Sequence, residues 1–327
     1  CSVRSESDVS FIVRLSVQVS ASRCFGWVPP LYRLHCAPRA RPIGTIRTGA
    51  VIAVSKGTET KTIMEFLAEN PNVDVSRAWE RCWNIHSKIV ERVQARFGVQ
   101  RHAQSDGFDY WGSPDGQLEG AFKAYSGPDV DWLVHSWLGN RKASLLDMNA
   151  TAFLGQQTRV PHLGIIFGTI PKLYFYAEYM PRVDLRTNYE YLLKYYEPAN
   201  QEFLKFRSDP KWTRFVSHGT YLRALMSPIA TSSHAELNDE NIGTCEKYLV
   251  GFVDRWFRWL DDADTVPENE RAAQQDYDFK IRELGYRTDP MNVLPQRILG
   301  EQEFNKRLEM RIGTQQMAEA RGRWRKG

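Results

Sequence analysis

Two acidic side chains stand in settings where a carboxyl group could do chemistry. Asp289, in "YRTDPMNVLPQRILG" (286–300), lies between a long charged segment and a proline, just ahead of an apolar stretch. Such an aspartate can cap a following helix, although it stands several residues early for a helix expected over 296–310. It can instead hang into a cavity, where burial disfavours the anion and leaves a proton to give away. Asp131, in "VDWLVHSW", alternates with Val130 and Trp132, so strand periodicity puts it on one face with Leu133 and His135. A lone strand aspartate usually faces solvent, and His135 on the same face is a secondary candidate.

Other chemistry has no carrier in the chain. No GxGxxG follows a strand and opens a helix, and there is no P-loop, HExxH or GxSxG. Seven histidines (35, 86, 102, 135, 162, 218, 234) and five cysteines (1, 24, 36, 82, 245) lack the spacing of a zinc, iron–sulfur or disulfide framework. No metal site and no bound cofactor are expected. A formal charge of +4 over 327 residues is too mild for a nucleic-acid protein, but suits weak docking of an acidic partner. No run of 18 apolar residues occurs, so no membrane-spanning helix is expected. Ten Trp, 14 Tyr and 16 Phe fit a large core or a pocket for a flat conjugated ligand.

The elements that must position these residues follow from periodicity. Residues 1–56 carry seven Arg, many Ser and only Glu6 and Asp8 as acids, the composition of an organelle transit peptide; the alternative is a fragment or untranslated sequence, and either way the segment stands outside the fold. A short helical stretch near Thr60 follows. "DVSRAWERCWNIHSKIVERVQARFG" then sets Ala78, Cys82, Ile85, Ile89, Val93 and Phe97 on one stripe, stopped by Gly98. Between 105 and 181, "FDYWG", "GAFKAYS", "VDWLVHSWL", "ASLLDMNATAFL", "HLGIIFGTI" and "KLYFYAEYM" read as strands divided by turns. Their close spacing leaves no room for crossover helices, so the sheet is expected to be mainly antiparallel. Helices are expected over 187–207, 221–226, 240–262, 267–284 and 296–310. Helices before and after an unbroken meander imply an α/β fold, a three-layer α/β/α sandwich. The single domain is placed at 57–315, between the 1–56 extension and a basic tail at 316–327.

Four segments occur together and in order: "PDVDWLVHSWL" (128–138), "PKLYFYAEYMPRVDL" (171–185), "FVSHGTYLRALMSP" (215–228) and "DPMNVLPQRILGEQ" (289–302). The set resembles the ferredoxin-dependent bilin reductase superfamily, nearest to red chlorophyll catabolite reductases, across roughly residues 75–310. The resemblance implies a linear tetrapyrrole held between the sheet and the C-terminal helices. It also implies electrons delivered singly by ferredoxin, no bound cofactor, and a chloroplast location in keeping with the N-terminal composition.

Roles for individual residues follow from the same likeness. Bilin reductases carry an Asp twelve positions, counted inclusively, before a Gly, a span reproduced by Asp289 and Gly300. Asp289 is thereby implied as proton donor, and Asp131 as a second acid facing the pigment. Arg223 matches a strand-borne Arg that grips a substrate propionate, a task suited to the guanidinium fork. Lys123 stands where bilin reductases tend to have a His, and Ile166 where red chlorophyll catabolite reductases have a Glu. The last departure leaves three readings open: a red chlorophyll catabolite reductase, a reductase of a biliverdin-like pigment, or a non-catalytic tetrapyrrole binder. A homodimer is also left open.

Overall fold

The structure, a computed structural model, describes residues 73–324. The 1–56 extension, its transit-peptide reading and the helical stretch near Thr60 lie outside the described residues. Helix α1 (Ser76–Phe97) buries Cys82, Ile85, Ile89 and Val93 as its apolar stripe anticipates, and His86 and Val90 with them. It ends at Gly98, whose φ of 59° is left-handed and whose N–H closes on the Gln94 carbonyl.

Nine strands follow: β1 (Gln100–Arg101), β2 (Trp111–Gly112), β3 (Glu119–Ser126), β4 (Val130–Asn140), β5 (Leu145–Leu154), β6 (His162–Ile170), β7 (Lys172–Met180), β8 (Thr213–Arg214) and β9 (Ser233–Ala235). They form one sheet in the order β1-β3-β4-β5-β6-β7-β9-β8, with β2 also on β3, and every pairing is antiparallel. The five long strands are those read from the sequence. The two- and three-residue strands β1, β8 and β9 are too short to leave a period-two signal.

The helices after the meander are α2 (Tyr189–Tyr195), α3 (Glu197–Ser208), α4 (Thr220–Leu225), α5 (Asp239–Asp261), α6 (Glu268–Arg287), α7 (Val293–Leu299), α8 (Glu301–Ile312) and α9 (Thr314–Trp324). The helix expected over 187–207 breaks before Glu197, because Pro198 fits only the first turn of a new helix. The one expected over 296–310 breaks at Gly300, which takes φ 77°. The tail placed at 316–327 begins inside α9, and Met317 is buried, so packed structure extends past 315.

The two sheet faces differ. Leu133, Trp137, Met148, Phe167, Phe175 and Tyr179 join α1 and the α5 residues Cys245, Leu249, Phe252, Val253 and Trp256 in one continuous core. Tyr248, Phe257 and Leu260 lie at its edge, partly covered. The opposite face has only small apolar islands: Phe122, Trp132, Val134, Phe153 and Met310; Leu118, Leu145 and Leu294; Phe304, Leu308 and Ile312. Burying one such side chain contributes about 1.5–3 kcal/mol, so the first face holds the fold and the second has room for polar groups. Gly313 fixes α8 on this second face. It sits at φ 74°, and a Cβ there would come within 2.9 Å of the Trp132 ring, whose Nε1 donates to the Arg311 carbonyl.

Candidate functional site

Cross-strand register lays out the second face as rows. One row runs Phe122, Ser136, Asn149, Ile166, Tyr176. Beside it run Leu138, Asp147, Gly168, Tyr174 and His234, and on its other side Val134, Thr151, Gly164 and Glu178. Asp147, Asn149 and Thr151 thus form a polar stripe on β5, and the Asn149 side-chain Oδ1 accepts from the Thr151 hydroxyl at 2.7 Å.

A shallow groove with about 60 Å3 of enclosed space, partly open to solvent, lies between this face and α8. Trp111, Phe122, Ser136, Leu138, Asp147, Arg307 and Arg311 are among its lining residues. Arg307 lies 4.0 Å from the Trp111 ring centroid, and its Nε and Nη1 have no protein partner. Arg311 stands over the Tyr286 ring at 4.8 Å and reaches Asp147 at 3.6 Å, with its Nε likewise unpaired.

Asp289 belongs to this end of the face. Its Oδ1 accepts from the Met291 N–H at 2.9 Å, so it caps the short turn Pro290–Asn292 rather than the helix beyond. Burial raises its pKa to about 6, against the opposing pull of the Met291 N–H and Arg311, while Asp147 pushes it up further. Asp147 is also raised, again by burial, with Arg311 opposing. Capping and proton storage, alternatives in the sequence, coexist in one side chain. Asp147 and Arg311 line the groove, and Asp289, outside that lining, feels both their charges; burial leaves Asp289 its proton up to about pH 6, as general acid catalysis requires.

The other expected residues are not gathered there. Asp131 and His135 fall on opposite faces, because the β4–β5 register shifts between Val130 and Trp132. A bulge at that point moves every later side chain to the other face. His135 packs in the continuous core, its ring stacked 3.8 Å from Trp83. Burial, then Lys123, pushes its pKa down to about 3, so it stays neutral. Lys123 is the cross-strand partner of His135, with Nζ 3.8 Å from Asp109, away from the groove face. Arg223, implied by the family likeness to be strand-borne, lies exposed on α4, the helix expected over 221–226, and donates to the Ser217 carbonyl at 2.6 Å. "TYLRAL" carries enough helix formers to close that one turn and a half.

Asp131 does face the C-terminal helices. Gln275 of α6 donates to its Oδ2 at 3.3 Å, and burial raises its pKa against Arg282 and Gln275. It is seven residues along β4 from Leu138, the partner of Asp147, or about 23 Å at strand rise. Its neighbours form an ion lock. Fully buried Arg182 donates to Asp278 Oδ2 at 2.6 Å and to the Gly155 carbonyl at 2.9 Å. Burial alone would raise Asp278, but Arg182 and His162 hold it below the ordinary aspartate value.

The sequence reading missed Asp147, Arg311 and Glu178. Asp147 had a signal, the period-two run of Asp, Asn and Thr within an apolar strand. Arg311 had none, since an arginine on an amphipathic helix reads as a solvated face. Ile166 sits mid-face, with Asp147 and Glu178 on the two diagonals across its neighbouring strands.

The family model of red chlorophyll catabolite reductase (RCC reductase) matches residues 84–306. The chain belongs to this family. A red chlorophyll catabolite reductase family member falls among oxidoreductases acting on tetrapyrroles, and the family is one of plastid enzymes. Among solved structures, the chain is similar to phytochromobilin synthase from tomato in complex with biliverdin. The TM-score is 0.60 at 13% identity, covering 69% of this chain and 80% of that one. This likeness shows the shared fold, the antiparallel sheet between helical layers. No curated protein matches the chain.

Proposed function

We propose that this chain reduces a linear tetrapyrrole, red chlorophyll catabolite, in the plastid, with electrons delivered one at a time by ferredoxin. The observation that carries the reading is Asp289, a carboxyl that keeps its proton to about pH 6 and feels the charges of Arg311 and Asp147, both of which line a groove on the sheet face. The chain's own task is to hold the pigment against the sheet and protonate it as electrons arrive. Arg307 and Arg311 offer unpaired guanidinium N–H groups to acidic substituents of the pigment. The +4 charge supports docking of an acidic electron donor.

Ile166 favours a second reading, a binder that holds a tetrapyrrole without reducing it. Asp147 and Glu178 weigh against that, since both set carboxyl groups on the face that Ile166 occupies. One experiment separates the readings. The protein is incubated anaerobically with reduced ferredoxin and either red chlorophyll catabolite or biliverdin, and the products are followed by absorbance and mass. A gain of two hydrogens supports the reductase, and its pigment names the substrate. Binding without any mass change supports the second reading.

A further inference from the structure

Among the described residues Glu178 is the most deeply buried carboxyl on the groove face, 2% exposed and near the C-terminal end of β7. Its side chain lies across from Gly164, which has no side chain to cover it. Oε1 accepts from the Ser227 backbone N–H, and Oε2 accepts from the Tyr176 hydroxyl. Tyr176, two residues earlier on the same face, is only partly buried, so its ring can meet a ligand that Glu178 cannot reach. Tyr176 also ends the row that begins with Phe122 and Ser136 of the groove wall and crosses Asn149 and Ile166. Ser136 and Tyr176 are three strand spacings apart, about 14 Å. A flat pigment lying along that row touches the groove at one end and Tyr176 at the other.

Fixing two electrons on one double bond requires two protons, and Asp289 holds one. We propose that Glu178 and Tyr176 form a second proton relay into the same site, with Tyr176 in contact with the pigment and Glu178 recharging it. This rests on the reductase reading above. In the step, the reduced pigment carbon takes the Tyr176 hydroxyl proton, forming a C–H bond as the Tyr176 O–H bond breaks. The proton on Glu178 Oε2 moves to the Tyr176 oxygen, leaving Glu178 as carboxylate, and solvent restores it after product leaves. Both electrons come singly from a reduced iron–sulfur protein, so atoms and charge balance.

Glu178 holds the required proton at neutral pH. Burial raises its pKa to about 8, opposed by hydrogen bonds from Ser227. Neutral Glu178 can donate to the Tyr176 oxygen and free that hydroxyl hydrogen for the ligand side. The titratable groups around it are Tyr174 and Tyr176 on its own strand and Tyr196, the residue between α2 and α3; Thr151 and Gly164 on the neighbouring strands do not titrate. Asp289, Asp147 and Glu178 all act on Tyr174 by charge, each raising its pKa further after burial.

The test uses full-length protein with Glu178→Gln and Tyr176→Phe. Each variant is expected to bind pigment normally and lose about 10²-fold or more in turnover. Wild-type turnover should fall as pH rises through about 8, and Glu178→Gln should lose that limb, which a merely structural role would not remove. Infrared spectroscopy supplies a readout independent of turnover. A protonated-carboxyl stretch should be present at pH 7, vanish above about pH 8, and be missing in Glu178→Gln. Tyr176→Phe gives the same kinetic test should Glu178→Gln fail to fold. Absence of the infrared band, or an unchanged rate and pH profile in a folded variant, overturns the relay while leaving the reductase reading intact. A wild-type protein that reduces no tetrapyrrole, although its band titrates near pH 8, overturns the reductase reading and the relay with it.

Discussion

Replacing Asp289 by Asn separates its two structural roles. The amide oxygen of Asn still accepts from the Met291 N–H, so the capped turn survives. What disappears is the ability to hold and release a proton. In the folded protein the Asp289 pKa lies at about 6 against an ordinary 3.8. A group raised in this way contributes stability that is fully present below its unfolded value and lost as pH rises through its folded one. At about 1.36 kcal/mol per pH unit, the interval from 3.8 to about 6 corresponds to about 3 kcal/mol. Asp289→Asn should therefore flatten the stability curve between pH 4 and 6, and be more stable than wild type at pH 8 by up to about 3 kcal/mol. Chemical denaturation at pH 4, 5, 6 and 8 measures this directly. Turnover with reduced ferredoxin should fall by about 10²–10⁴ while pigment binding persists. A variant that keeps full activity, or whose stability tracks wild type at every pH, would refute the argument that burial stores a proton at this position.

Three further outcomes follow from the geometry. Arg223→Ala should leave pigment affinity unchanged in an absorbance titration, because Arg223 is exposed on α4, whereas Arg311→Gln should weaken it about tenfold by removing a groove-lining guanidinium. Asp278→Ala should cost about 3–5 kcal/mol in denaturant unfolding, because it strands buried Arg182 without its carboxylate. His135, held neutral with its pKa near 3, should show no protonation between pH 5 and 8 by nuclear magnetic resonance, and turnover should owe no limb in that range to it.

The layered α/β/α fold was legible in the chain because it rests on local signals. The stripe on α1, the five long alternating strands and the loss of crossover space between them all survive in the structure. Asp289 could be marked in the chain as a candidate, from its place before a proline and an apolar segment and its span to Gly300. What the chain could not carry was any consequence of strand register. One bulge after Val130 turns His135 into the core and leaves Asp131 facing α6, although strict alternation placed them together. Nor could it show that Asp147, Gly168 and Tyr174 share a row, or that Arg311 from α8 closes over them, because those residues meet only through pairing across the sheet and helix docking. Local propensity decides which elements form. Which carboxyl sits beside which arginine, and how much water either keeps, is decided by tertiary packing, and that packing sets the pKa of Asp289 and Glu178.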